Sequence, residues 1–574
     1  MVYAQAALCS DIKQAIAYLR RLTQCDVQHL WEHCADDLSL EQMLAESCEW
    51  AIAPLNDRHH VAWSRGRNVL WLRQHIRIPN DLNGFPLDGL TLRLGLTWWA
   101  EDAQIFVDGK HVHTGDLYDC FGRILLKDSV KAGDIITVTI RLVSPDHDDG
   151  ALVRSRCIYE NCDQSLTPVP EPGFVADELD VLYRYLKTFA SDQLPTLHHA
   201  IQGIDTDIVL DHDAFNTCLS ALRDTLRPFS PFLKQRCIHL LGHAHLDLAW
   251  LWPVVETWEA AQRTFQSVLS LQSDFPDLTF THSTPALYHW IEQHHFDLFR
   301  DIQAQVHNGT WEVGAGLWVE PELNLVSGES IIRQIVYGQR YTREAFGHIS
   351  RIAWLPDTFG FCWQLPQMLT LGGIDYFATQ KLRWNDSNTF PHDLFEWRSP
   401  DGTTILSVTL PPIGSDIDPV KMADYACQWE TNTGCLECLW LPGAGDHGGG
   451  PTRDMLMVAQ RWERSPFFPR LCFTTAEPLL DQLTTPPSSE PSTPALPDTL
   501  ITPSSPNSSN PSPLPTWNDE LYLELHRGCY TTHAEQKHWN RRCERLLYQA
   551  ELFSSIATLL TEAEYPHDEL EQAW

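Results

Sequence analysis

Positive charge is scarce in this chain. Its 574 residues hold 41 Lys and Arg against 75 Asp and Glu, a formal net charge of −34 at pH 7. Nucleic acids and anionic membranes attract basic patches, so this balance argues against both as partners. Long apolar runs are lacking as well. No stretch reaches the roughly 20 apolar residues a bilayer span needs. The opening MVYAQAALCSDIKQAIAYLRR has no basic segment ahead of an apolar core. Together these absences predict a soluble, cytoplasmic protein. The 16 cysteines are scattered, several in apolar surroundings such as Cys237 and Cys472, which is the usage of a reducing compartment. Cys435-x-x-Cys438 has no second pair nearby to complete a zinc site.

What is present is a chain rich enough in apolar residues (43%, with 22 Trp) to build more than one core. Residues 1–60 carry helical periodicity, with Ile12, Ile16, Leu19 and Leu22 on one face. Residues 61–172 read as a β-sandwich. Short β-rich runs such as Thr91–Trp98, Gln104–Val107, Arg123–Leu126 and Asp134–Val143 are punctuated by Asp108-Gly109 and Ala132-Gly133-Asp134. The turn Val107–Lys110 predicts a hairpin. Trp98 and Trp99 suit core and rim packing better than stacking on a sugar. Residues 173–235 form a helical connector. From 236 to 483 strand-like runs alternate with helical ones, the grammar of a parallel (β/α) barrel or a similarly layered sheet. Residues 484–515 are Pro-, Ser- and Thr-rich and almost uncharged, a composition that cannot form a core. Residues 516–574 close the catalytic domain and open a helical bundle.

The chemistry-bearing clusters lie at the ends of the strand-like runs in 236–483. In Leu240-Leu-Gly-His243-Ala-His245-Leu-Asp247-Leu-Ala-Trp250 an apolar run gives way to His243, His245 and Asp247 at period two, which puts them on one side if the strand persists. Imidazole and carboxylate are ligands of a borderline metal such as zinc; structural histidines are the alternative reading. Arg351-Ile-Ala-Trp-Leu-Pro-Asp357-Thr-Phe-Gly360 repeats the pattern, with Asp357 as a ligand, a nucleophile or a helix cap. Asp416 follows the run Thr404–Leu410 in the same way. The stretch Trp318-Val-Glu320-Pro-Glu322 pairs an aromatic ring with carboxylates, a combination that suits sugar rings and hydroxyls. Gly443–Thr452 has five glycines around Asp446 but no Gly-Lys-Ser/Thr ending, which argues against a nucleotide.

Jointly these segments resemble glycoside hydrolase family 38, the retaining α-mannosidases, of the cytosolic and bacterial type. The resemblance rests on Gly242-His-Ala-His-Leu-Asp-Leu-Ala-Trp-Leu-Trp-Pro253, the Asp357-Thr-Phe-Gly360 motif, Trp318–Glu322, Gly445–Thr452 and Glu520–Thr532. It runs from about 60 to 574 apart from the Pro/Ser-rich insert. It implies an α/β fold: a seven-stranded barrel-like catalytic domain, preceded by a galactose-binding-like β-sandwich and followed by the start of a helical bundle. It also implies one Zn²⁺ on His245, Asp247 and Asp357, with Asp357 doubling as nucleophile and Asp416 as acid/base. His243, Trp250, Trp318, Glu320, Glu322 and Asp446 would support the ligands or bind substrate, and the substrates would be mannose-containing oligosaccharides. The family's fourth metal ligand, a histidine in an Asn-Gln-Phe-His-Asp-like motif, has no match here, and His526 and His533 are poor substitutes. The chain is therefore expected to be truncated relative to the family, with a separately encoded C-terminal half as a partner and a homo-oligomer as an open alternative. An inactive remnant or mannose-binding module is the competing function. A metal amidase or deacetylase would not require the later motifs.

Overall fold

The computed structural model describes residues 2–34, 38, 42, 49–117, 120–161, 170–250, 252–314, 316–444, 448–484 and 514–574. Asp446 and most of the Pro/Ser/Thr-rich insert lie outside the described residues. The chain divides into two compact units. One comprises Met1–Ile238 with Asp416–Gln428 and Ala444–Leu471; the other comprises His239–Ser415, Trp429–Gly443 and Cys472–Trp574. Among the described residues no helix is long and apolar enough to cross a membrane.

The first unit is built on two antiparallel sheets. One has the strand order Gln24–Asp26, Gly150–Glu160, Thr91–Trp99, Phe121–Lys127, with Val61–Trp63 also paired to Gly150–Glu160. The other runs Lys110–Gly115, Asp102–Val107, Ile135–Val143, Val69–Arg77, Glu32–Cys34, Ala51–Ile52. Leu92, Leu94, Leu96 and Trp98 alternate into the core from one strand, as do Val138, Ile140 and Leu142 from another. Asp108 and Gly109 both take positive φ, 47° and 76°, which is the primed turn the hairpin requires. Trp98 is buried and donates to the Asp116 carbonyl, whereas Trp99 is partly exposed. The segment expected to be helical, 1–60, contains the helix Val2–Arg21 but also lends strands to both sheets. Cys34 packs on Trp71 and Phe106. Burial beside a sheet strand therefore overrides the weak helical preference of that stretch.

The second unit alternates short strands with helices. The strand Gly242–His243 precedes the helix Val254–Asp274. Phe280–His282 precedes Pro285–His294 and Phe296–Asn308, and Trp311–Val313 precedes Gly328–Phe346. Ile352–Trp354 and Tyr376–Thr379 flank the helix Leu365–Leu371. The strands pair in parallel, Gly242 with Phe280, Phe280 with Trp311, Ile352 with Tyr376 and Tyr376 with Leu406; only Leu394–Arg398 runs antiparallel, against Thr404–Thr409. These ladders form separate sheets, that of Gly242–His243, Phe280–His282 and Trp311–Val313 parallel and that around Tyr376–Thr379 mixed, rather than one continuous sheet. A helical segment closes the chain, with helices Ala534–Thr561 and His567–Ala573.

Two apolar clusters fill the unit. One gathers Phe265, Phe280, Leu287, Tyr288 and Trp311; the other gathers Leu355, Phe361, Leu365, Phe377, Trp397 and Leu521. The strands from Phe280–His282 to Thr404–Thr409, of three to six residues, place apolar residues in these clusters. The helix Gly328–Phe346 comes unusually close to the loop after Trp311–Val313. A Cβ on Gly338 would lie 2.6 Å from the Leu317 carbonyl carbon and 2.8 Å from the Trp318 nitrogen. Neither is a flexible side-chain end. We predict that Gly338→Ala destabilises the unit by about 1–3 kcal/mol through overpacking, measured by chemical denaturation. An unchanged midpoint would show that the helix can shift freely.

Candidate active site

The strand Gly242–His243 ends at His243, so strand alternation does not carry on to His245 and Asp247. The His243 ring is buried, its Nδ1 lies 2.9 Å from the Thr281 carbonyl, and its face meets Trp354 edge-on at 5.4 Å. His245 and Asp247 lie beyond the strand end, with His245 Nε2 3.3 Å from Asp247 Oδ1. The ordered turn that follows is held by Thr257, whose hydroxyl accepts from Ala249 N and Trp252 Nε1 and donates to the Asp247 carbonyl.

Asp357 reaches the same place from another strand end. Ile352–Trp354 is buried, and Leu355 N donates to the Ala378 carbonyl, so the chain stays in register until Pro356 releases it. Asp357 N donates to Glu320 Oε2 at 3.2 Å, and Glu320 Oε1 lies 3.9 Å from His245 Nδ1. Among the described residues, His245, Asp247 and Asp357 form the group able to hold a metal ion, their candidate ligand atoms all within 4.8 Å of one another. His245 Nε2 is buried without a hydrogen bond. An imidazole and two carboxylates with an orphaned ring nitrogen between them fit a divalent ion.

Sequence reading missed Lys381. Its Nζ is ion-paired with Asp357 Oδ1, the side chain is only 2% exposed, and the ammonium sits 3.8 Å from the Trp384 ring centre and 4.7 Å from that of Phe359. The turn Lys381–Trp384 that presents it follows the strand Tyr376–Thr379 directly. The apolar strand run, with Lys381 two residues past its end, was the available signal.

Burial and neighbouring charge divide the titratable groups. Desolvation pushes His243 down to about 4, against the pull of the Thr281 carbonyl. Burial also opposes charging of His245, yet Asp247, Glu320 and Asp357 outweigh it and carry His245 up to about 10. Burial raises Glu320 to about 7, with His245 pulling it down and Asp357 pushing it further up. Glu322 is likewise raised by burial to about 7, and it accepts from Asn324 N at 3.2 Å. Trp318 packs against His289 and Tyr341, and Trp250 is exposed beside Trp252. Asp416 belongs to the first unit, where it pairs with Lys421 at 3.5 Å and burial raises its carboxyl. His526 is exposed, with its ring against Phe359 and Trp384.

Sequence comparison places this geometry in a family. The glycosyl hydrolases family 38 N-terminal domain matches residues 235–520, and the α-mannosidase middle domain matches 524–574. The chain is thus an α-mannosidase-like member of glycoside hydrolase family 38. It is 36% identical over 350 residues to "Alpha-mannosidase 2C1" of Homo sapiens, covering 59% of this chain and 31% of that protein. It is 32% identical over 402 residues to "Alpha-mannosidase G" of Dictyostelium discoideum, covering 69% of this chain and 35% of that one. The crystal structure of an α-mannosidase from Enterococcus faecalis V583 aligns over 59% of this chain and 37% of that chain at 19% identity, with a TM-score of 0.47. The matches span about a third of the length of these curated relatives.

The raised His245 has a consequence for the metal-stripped protein. A folded-state value near 10 against an ordinary 6.5 means that this imidazole stabilises the fold fully below about pH 6.5 and loses that contribution as pH rises through about 10. Asp247→Asn removes one of its counter-charges. We predict that the stability gap between Asp247→Asn and the parent, measured by urea unfolding in chelator, is widest near pH 6 and narrows toward pH 10. A gap that widens with pH would contradict the assignment.

Proposed function

We propose that this chain carries the catalytic centre of a retaining, zinc-assisted α-mannosidase acting on terminal α-mannosides. The observation that carries the reading is the His245–Asp247–Asp357 cluster inside the segment matched by the family 38 domain. Zinc held there by these three residues would supply Lewis acidity and orient sugar hydroxyls. Asp357 attacks the anomeric carbon and the aglycone oxygen leaves, giving a mannosyl ester; water then hydrolyses that ester with net retention. Asp416 first protonates the leaving oxygen and then takes a proton from the water. Its raised carboxyl suits a group that must start protonated. Glu320 orients His245 and the Asp357 backbone, Trp318 and Trp250 offer ring faces to sugar, and Asp446 supplies a further carboxylate.

The sheets of the second unit form, in this reading, arcs of one seven-stranded barrel. Single backbone bonds join neighbouring arcs: Gly316 N to the Ile352 carbonyl, His243 N to the Pro442 carbonyl, Leu241 N to the Trp440 carbonyl, and a bridge between Ser415 and Pro442. A barrel gathers its chemistry at the carboxyl ends of its strands, where His245, Asp247 and Asp357 lie. The scattered cysteines support a cytoplasmic site.

The test is turnover of 4-nitrophenyl α-mannoside by the protein with added zinc. Retention of configuration is expected by NMR of the first-formed mannose. Asp416→Asn should cost about 10²–10⁴-fold in turnover. Zinc content should vanish in Asp247→Ala and survive in His526→Ala. Weak mannose binding with no turnover would favour a sugar-binding module instead.

A further inference from the structure

We propose that Lys381 is a positioning residue that competes with the metal for Asp357 and thereby sets how tightly the site holds its ion. This rests on the metal reading above. The Lys381 ammonium is ion-paired with Asp357 Oδ1, one of the two candidate ligand carboxylates. At 2% exposure the side chain has almost no water around it, and the rings of Trp384 and Phe359 lie beside the charge at 3.8 and 4.7 Å. Its backbone is fixed too, because Lys381 N donates to Thr379 Oγ1 at 3.1 Å. The cation therefore cannot swing out to solvent when a second cation arrives.

Two consequences follow from that confinement. Before metal binds, the ammonium offsets the negative charge that Asp247, Glu320 and Asp357 place around a single imidazole, and it holds the Asp357 carboxylate in position. Once metal binds, two cations share one carboxylate in a poorly screened pocket and repel each other. Lys381 thus preorganises Asp357 while it weakens the ion's hold. A neutral side chain at 381 would leave Asp357 wholly to the metal but less well aimed for attack on the sugar.

The experiment titrates chelator-stripped protein with Zn²⁺ and with Co²⁺ by calorimetry, which needs no substrate. Parent, Lys381→Arg, Lys381→Met and Lys381→Gln are compared, with circular dichroism to confirm folding. Both neutral variants should bind each ion about tenfold tighter or more, while Lys381→Arg stays near the parent. In 4-nitrophenyl α-mannoside turnover of the zinc-saturated protein, the neutral variants should lose kcat with KM nearly unchanged, and Lys381→Arg should restore part of it. A purely structural lysine would weaken both readouts together. Equal or weaker metal binding by the neutral variants would overturn the proposal. So would failure of both neutral variants to fold, since Lys381 would then be a structural cation. If the parent binds no divalent ion, the metal reading itself falls; if it binds metal without turnover, the Lys381 result still stands on the titration alone.

Discussion

Charge taken out of water has to be matched by charge of the opposite sign, and the second unit is arranged around one such balance. Asp247, Glu320 and Asp357 converge on His245, and Lys381 is ion-paired with Asp357. Three carboxylates around one imidazole would push one another toward protonation. Burial raises Glu320 to about 7 with Asp357 adding to the rise, and the carboxylates carry His245 up to about 10. Two cations suit the arrangement: the ammonium already there, and a divalent ion on His245, Asp247 and Asp357. The cluster is therefore a cation site before any chemistry is assigned to it.

The frame delivers these groups because its strands are short. Ile352–Trp354 anchors Ala353 in one cluster, and the two-residue strand Gly242–His243 is followed at once by Ala244 and Leu246 in the other, so the polar residues beyond leave the sheet within a few positions. Glu320 depends on the same economy of length. Its loop lies against the backbone of Gly328–Phe346 at Gly338, where no side chain would fit, and Trp318 N and Val319 N both bond to Gln334 on that helix. Packing at the helix, several residues away from any ligand, therefore decides where the carboxylate facing His245 sits.

Much of this was legible as apolar runs followed by acid or imidazole. His245, Asp247 and Asp357 stood out that way, and the structure brings their ligand atoms together. The hairpin at Asp108-Gly109 and the alternation of Thr91–Trp99 were equally plain, since both are local signals. His243 was less transparent. The alternation argument held only while the strand lasted, and it ends at His243 itself. Lys381 stayed hidden for a different reason. A lysine after a strand usually reads as a solvated residue; only the fold of the turn Lys381–Trp384 folds Trp384 and Phe359 around its charge. The strands at 24–34 and 51–52 were masked by helical periodicity nearby, because sheet pairing is a non-local interaction that composition does not report.

The wall behind the site matters as much as the charges in front of it. His243 and His282 are fully buried and held down to about 4 and about 3, so both stay neutral at any ordinary pH. His243 is fixed by the Thr281 carbonyl and by Trp354, and His282 by rings of Phe265, Phe280 and Tyr288. Neutral, aromatic-backed imidazoles take positive charge away from that side without adding water to it. The field at His245 is then set by the carboxylates and Lys381 rather than by solvent, since screening falls where the surroundings are apolar. A substitution that hydrated this wall would weaken every interaction in the cluster at once, including those whose partners it never touches. His243, expected from the sequence to support the ligands, acts on the dielectric in which the candidate ligands operate.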